Sequence, residues 1–233
     1  MTARFPTRIA MESKAIGKIF GKITALKDIS FKVKSGTIVA VVGHNGSGKT
    51  TLLKILTTLI TPTSGEALVN GYSILKNPYK VREGISFVSS EDRSFYWRLT
   101  GRQNLIYFAS LYNLPLKEAK KRADEMLIKV GLDHAGNTRF NEYSTGMKQL
   151  LGIARGLIPD TPVLLLDEPT RSLSQDSANR IYTLIKNKTA NGGTILMTSH
   201  NPVEVEKLAD HIIVLDNGII KHLGAMAQIK SGL

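Results

Sequence analysis

Residues 38–42 read Ile38-Val39-Ala40-Val41-Val42 and lead without a break into Gly43-His44-Asn45-Gly46-Ser47-Gly48-Lys49-Thr50. An apolar run of this kind, with no polar alternation, fits a strand covered on both faces. The chain must then turn sharply, because glycines at 43, 46 and 48 favour backbone conformations that side chains resist. Leucine and isoleucine at helical spacing follow over residues 49–59, ending before Pro62. A buried strand, a glycine-rich loop and a helix in that order point to an α/β layer with the loop at the carboxyl end of a strand.

The octapeptide matches the phosphate-binding loop pattern, in the strand-to-helix setting that gives the pattern its meaning. Without glycine side chains, backbone N–H groups from Gly43 to Thr51 can wrap a β-phosphate while the helix presents its positive end to the anion, worth about 0.3–1 kcal/mol per charge at an exposed site. Lys49 adds a point charge for the β- and γ-phosphates, and the Thr50 hydroxyl suits Mg²⁺. The plain alternative is a glycine turn with a structural purpose only.

Elsewhere the chain alternates strand and helix, as a parallel sheet requires. Residues 9–14 and 29–33 read as strands of an N-terminal antiparallel β element. Helices are expected over 104–113, 116–130, 144–157, 175–188 and 203–209, and strands over 163–166 and 194–198. Residues 212–215 and 219–223 flank Asp216-Asn217-Gly218, a hairpin signal. The helical stretch at 92–141 reads as an insertion, leaving 1–91 and 142–233 as the core of one α/β domain.

Composition narrows the setting. With 42% hydrophobic residues over 233 the chain can bury a sizeable core, and it has no Cys, so no disulfide framework exists. Residues 1–22 lack an apolar region with a small-residue cleavage site and are not expected to be a signal peptide. No apolar stretch approaches the roughly 20 residues needed to cross a bilayer. The net charge of +12 suits nucleic acid, an anionic membrane face or a polyanionic ligand. Lys and Arg are spread along the chain, however, and the densest run, residues 117–122, mixes with Ala and Glu like a solvated helix face.

Val163-Leu164-Leu165-Leu166 delivers Asp167 and Glu168 at a strand's carboxyl end, where open α/β sheets bind ligands. Asp167 suits a Mg²⁺ shell, and Glu168 suits a base that orients or deprotonates water. Two adjacent acids carry little weight alone; a phosphate loop upstream gives them a purpose. His200, at the end of the next strand, could bond a γ-phosphate oxygen or bridge to the acid. Ser144, in Tyr143-Ser144-Thr145-Gly146-Met147-Lys148-Gln149, is placed to cap a helix whose free N–H groups suit a phosphate.

Taken in this order over nearly the whole chain, these segments resemble the ATP-binding subunits of ABC transporters. The resemblance implies an ATPase that uses ATP and Mg²⁺, with Phe20 stacking on adenine. It also implies an ATP-dependent pair of subunits, so that Ser144 and Gly146 act on the nucleotide of the second copy. A separate integral-membrane permease would place the chain at the inner face of the cell membrane, with no nucleic-acid partner expected. Thr145 and Met147 stand where the family has Gly and Gln, a variant that resembles subunits of two-component exporters of drugs, glycans or lipids. Ser90 stands in place of a glutamine that contacts Mg²⁺ and the permease, and Ser174 in place of an aspartate at the dimer interface. Phe95, Tyr96 and Trp97 follow the Ser90 segment and read either as a permease contact or as ordinary core. Rival readings are a family member acting on ribosomes or nucleic acid, and a degenerate regulatory subunit.

Overall fold

The computed structural model describes residues 8–89 and 95–226. Its first element is a pair of long antiparallel strands, β1 (Ile9–Phe20) and β2 (Ile23–Lys34), joined by a tight turn. In β2 Ile29, Phe31 and Val33 point inward while Ser30, Lys32 and Lys34 point to solvent, the period of two that one covered face demands. β4 (Ser64–Val69) and the short β5 (Tyr72–Ser73) complete a four-stranded sheet of order β2-β1-β4-β5.

The second sheet has six strands in the order β10-β9-β3-β8-β7-β6. They are β3 (Ile38–Val42), β6 (Ile85–Val88), β7 (Val163–Asp167), β8 (Thr194–Ser199), β9 (His211–Asp216) and β10 (Ile219–Ala225). Five run parallel, and β10 returns antiparallel to β9 as the expected hairpin. The fold class read from the sequence, a mostly parallel sheet with an antiparallel β element and helical segments, is the fold observed.

Why β3 and β7 lack polar alternation is plain from their two faces. Val39, Val41, Val163 and Leu165 pack with the antiparallel sheet and α1 (Lys49–Leu56). Ile38, Ala40, Leu164 and Leu166 pack toward α5 (Thr145–Leu157) and α6 (Gln175–Ala190). Each fully buried large side chain contributes about 1.5–3 kcal/mol of transfer free energy, so the central strands anchor both layers at once. The register follows from that anchoring: Asp167 lies opposite Thr198, and Val42 opposite Ser199 and Val214. Four loops that leave β3, β7, β8 and β9 are therefore gathered at one edge of the sheet.

Helix boundaries differ from the sequence expectations where capping decides them. α3 (Gly101–Leu111) starts three residues before 104, because Thr100 and Gln103 form a reciprocal capping box. α1 ends at Leu56, short of 59, with Thr58 turned to a left-handed φ of 63°. α4 (Leu116–Val130) is terminated by Gly131 in the left-handed region. α7 (Pro202–Leu208) carries Pro at its first position, where no N–H is needed. β4, β5, β6 and α2 (Pro78–Glu83) were not anticipated; they are short and carry no strong period.

Candidate active site

The gathered loops enclose a cavity of about 470 Å³. Gly46 and Gly48 in the loop after β3 have φ of 84° and 104°, accessible to glycine at little cost. Bulk is excluded as well: a Cβ on Gly43 would lie 2.1 Å from the Leu215 carbonyl, and one on Gly48 2.7 Å from the Ala25 carbonyl. The β9–β10 turn braces the loop from below. Gly218 N–H donates to the Ser47 carbonyl at 3.1 Å, Lys27 N–H donates to the Gly218 carbonyl at 2.8 Å, and His44 Nε2 lies 3.1 Å from Asp216 Oδ1.

The buried Lys49 ammonium closes the loop on itself, donating to the carbonyls of Gly43 (2.8 Å) and His44 (3.0 Å). Thr50 donates its hydroxyl to Asp167 Oδ2 at 2.9 Å across the floor of the cavity. That pair offers oxygen ligands from one hydroxyl and one carboxylate. The combination fits Mg²⁺, which binds through one or two protein oxygens together with substrate phosphates.

Glu168 sits at φ 52°, a conformation costing on the order of 1–3 kcal/mol for a residue with a side chain. Neighbouring groups hold it there. Its N–H donates to the Thr198 hydroxyl at 3.0 Å, and that same hydroxyl donates to Asp167 Oδ1 at 2.6 Å. On the other side the Gln149 amide donates to the carbonyls of Glu168 (3.3 Å) and Pro169 (3.0 Å). The Glu168 side chain reaches His200, whose Nδ1 is 2.5 Å from Oε2.

Behind His200 lies a buried acid that the sequence reading passed over. Glu204, in α7, accepts from the Thr170 hydroxyl at 2.8 Å and from the Ser199 hydroxyl at 2.5 Å, tying the loop after β7 to the end of β8. Burial pushes its carboxyl above the ordinary glutamate range; the two hydroxyls pull it back, and the Glu168 charge raises it further. Thr198 and Ser199, polar side chains ending a buried strand with an apolar centre, were the signal that could have revealed this layer.

Of the residues singled out from the sequence, Asn45, Gly46, Gly48, Lys49, Thr50 and Thr51 line the cavity together with Asp167, Glu168 and His200. Gly43, His44 and Ser47 shape the loop from outside the lining. Phe20 is not in the lining: it stands half-exposed at the β1–β2 turn with the Lys18 ammonium 4.9 Å from its ring centroid, and the wall on that side is Ala25. Ser144 and Gly146 also lie outside. Ser144 caps α5 by accepting from Met147 N–H, and a Cβ on Gly146 would meet the Ser172 carbonyl at 3.3 Å. Ser174 caps α6 in the same way, accepting from Ser177 N–H.

The aromatic triplet divides. Phe95 is core, stacked on Phe140 at 4.7 Å and covered by the Arg155 guanidinium, whose pKa burial pushes down to about 10. Tyr96 and Trp97 are exposed at 48% and 62%. Ser90, Glu91 and Asp92 lie outside the described residues.

The ABC transporter family profile matches residues 26–171. The chain is 40% identical over 217 residues to the doxorubicin resistance ATP-binding protein DrrA of Mycobacterium tuberculosis, covering 93% of this chain and 65% of that protein. It thus spans less than two thirds of that relative's length. It is 34% identical over 207 residues to the ABC transporter ATP-binding protein NatA of Bacillus subtilis, covering 89% and 84%. A dimeric ATP-binding cassette solved in a post-hydrolysis state with ADP and Pi superposes with a TM-score of 0.85 at 27% identity, covering 93% of this chain and 98% of that one.

Proposed function

This chain belongs to the ABC transporter family, and from that premise we propose that it is the subunit that binds and hydrolyses ATP to power a separate permease. The observation that carries the reading is the convergence of Lys49, Thr50, Asp167, Glu168 and His200 on one cavity, whose volume suits a ligand of nucleotide size. The phosphate loop binds the β- and γ-phosphates through its N–H groups and Lys49. Thr50 and Asp167 would hold Mg²⁺, which supplies charge neutralisation on the phosphates. Glu168 orients and deprotonates the attacking water, and His200 fixes the carboxylate that does so.

Several finer points rest on the same premise. Ser144 and Gly146 stand at the start of α5 outside the cavity, where they are free to act on the nucleotide of a second copy; the dimeric state of the structural relative supports that arrangement. Tyr96 and Trp97 form an exposed aromatic pair suited to the permease, since such residues dominate contact hot spots. The drug-resistance name of DrrA supports export, with the chain on the cytoplasmic face. The helices α3 and α4 support reading 92–141 as a helical insertion. The intact set of Lys49, Asp167, Glu168 and His200 argues against a degenerate regulatory subunit. Steady-state phosphate release by the purified chain with ATP and Mg²⁺ tests the reading. Turnover is expected, and none with or without the permease would overturn it.

A further inference from the structure

Arg171 shares the cavity wall with Glu168 and His200. Among the described residues, Lys49, His200 and Arg171 supply the nitrogen-bearing side chains of the lining that can face an anion, apart from Asn45, and two of the three are already engaged. The Lys49 ammonium is held by two loop carbonyls, and His200 by Glu168. Arg171 alone has no side-chain hydrogen bond, ion pair or ring contact among the described residues. Its place is nevertheless fixed by the main chain: Arg171 N–H donates to the Glu168 carbonyl at 3.2 Å and Leu173 N–H to the Thr170 carbonyl at 3.2 Å. The Thr170 hydroxyl is in turn anchored on Glu204. The loop is thus a pair of consecutive turns that hold the base of Arg171 three residues beyond the acid.

We propose that the Arg171 guanidinium binds the terminal phosphate of the ATP held by its own chain. The inference rests on the nucleotide reading above. An unpaired guanidinium on the wall of a polyanion site is a fixed fork of donors that matches phosphate oxygens two at a time. Its neighbours decide which phosphate it meets. The loop of Gly43 to Thr51 grips the β-phosphate end, whereas Arg171 sits beside Glu168 and His200, where the bond to the γ-phosphate breaks. A contact confined to the γ-phosphate exists with ATP and is absent with ADP. Arg171 therefore discriminates substrate from product by strengthening ATP binding alone.

The test compares affinities for an ATP analogue with a non-hydrolysable β–γ bridge and for ADP, both with Mg²⁺, at protein dilutions where light scattering shows monomer. Wild type, Arg171→Ala, Arg171→Lys and Lys49→Ala are measured side by side. Arg171→Ala should weaken the analogue about tenfold and leave ADP within about twofold. Arg171→Lys should recover part of the loss, because it restores charge without the fork. The side chain is exposed and unpartnered, so the melting temperature should not move. Equal weakening of both nucleotides, or of neither, overturns the proposal. A loss that appears only in the dimer also overturns it, since the guanidinium would then serve the other chain's nucleotide. Wild type that binds neither nucleotide, or Lys49→Ala that binds like wild type, identifies failure of the phosphate-loop reading itself.

Discussion

Nδ1 of His200 lies 2.5 Å from Oε2 of Glu168, joining the loop after β8 to the acid at the end of β7. The imidazole thereby holds the carboxylate in one orientation toward the cavity. Glu168→Gln keeps the shape of the side chain and removes the base, so ATP binding should survive while hydrolysis falls by about 10²- to 10⁴-fold. Size-exclusion chromatography of that variant with ATP and Mg²⁺ should show a stable dimer. Only monomer under those conditions would count against the shared-nucleotide arrangement.

Thr198 is the buried support for both acids. Its hydroxyl accepts from Glu168 N–H and donates to Asp167. Thr198→Val preserves the shape but leaves the Glu168 N–H unpaired and takes from Asp167 Oδ1 its shorter hydrogen bond, leaving the Thr50 hydroxyl at 3.1 Å, at a cost of about 1–3 kcal/mol. Turnover should fall, as Glu168 loses one of the contacts that hold its left-handed φ. Thr198→Ser should restore both properties. A valine variant as active and as stable as wild type would show that the hydroxyl has no positioning role.

Glu204 predicts the sign of a pH dependence. Its folded carboxyl titrates above its unfolded value, so the native state retains the proton to higher pH. Its contribution to stability is complete below the unfolded glutamate pKa of about 4.3 and is lost as pH rises through the raised folded value. Glu204→Gln removes that titration. Urea unfolding of wild type and variant should therefore show wild type losing ground as pH rises from the ordinary glutamate range. A difference that stays constant with pH would contradict the assignment.

The aromatic triplet separates packing from recognition. Phe95→Ala should destabilise the isolated chain by about 3–5 kcal/mol, because the ring is buried against Phe140 and Phe108. Tyr96→Ala combined with Trp97→Ala should leave the fold intact in thermal melts and abolish co-purification with the permease. If the double variant unfolds instead, the pair belongs to the core.

How legible this molecule was depends on the range of the determining interactions. The strand at 38–42, its glycine loop and the acids at 167 and 168 were readable, because each is set by a few consecutive residues whose types leave little choice. The start of α3 was missed by three residues, since the Thr100–Gln103 box is a side-chain event that an apolar period does not register. Thr198, Glu204 and Gln149 were missed for a different reason. The contacts in question reach partners 19 to 34 residues away in the chain, brought together by strand register for Thr198 and by the placement of α5 and α7 beside the sheet for Gln149 and Glu204. Phe20 was placed by resemblance, and the structure sets it at a turn outside the cavity wall.

The central claim is that the loop of Gly43 to Thr50 binds the phosphates of ATP for hydrolysis, and Lys49→Ala tests it most directly. The buried ammonium now satisfied by the carbonyls of Gly43 and His44 is the charge that nucleotide binding requires. Phosphate release by purified wild type and Lys49→Ala should be measured with ATP and Mg²⁺ at matched concentrations, with nucleotide affinity determined in parallel. The account predicts hydrolysis near background and weakened binding in the variant. Turnover and affinity equal to wild type would contradict it.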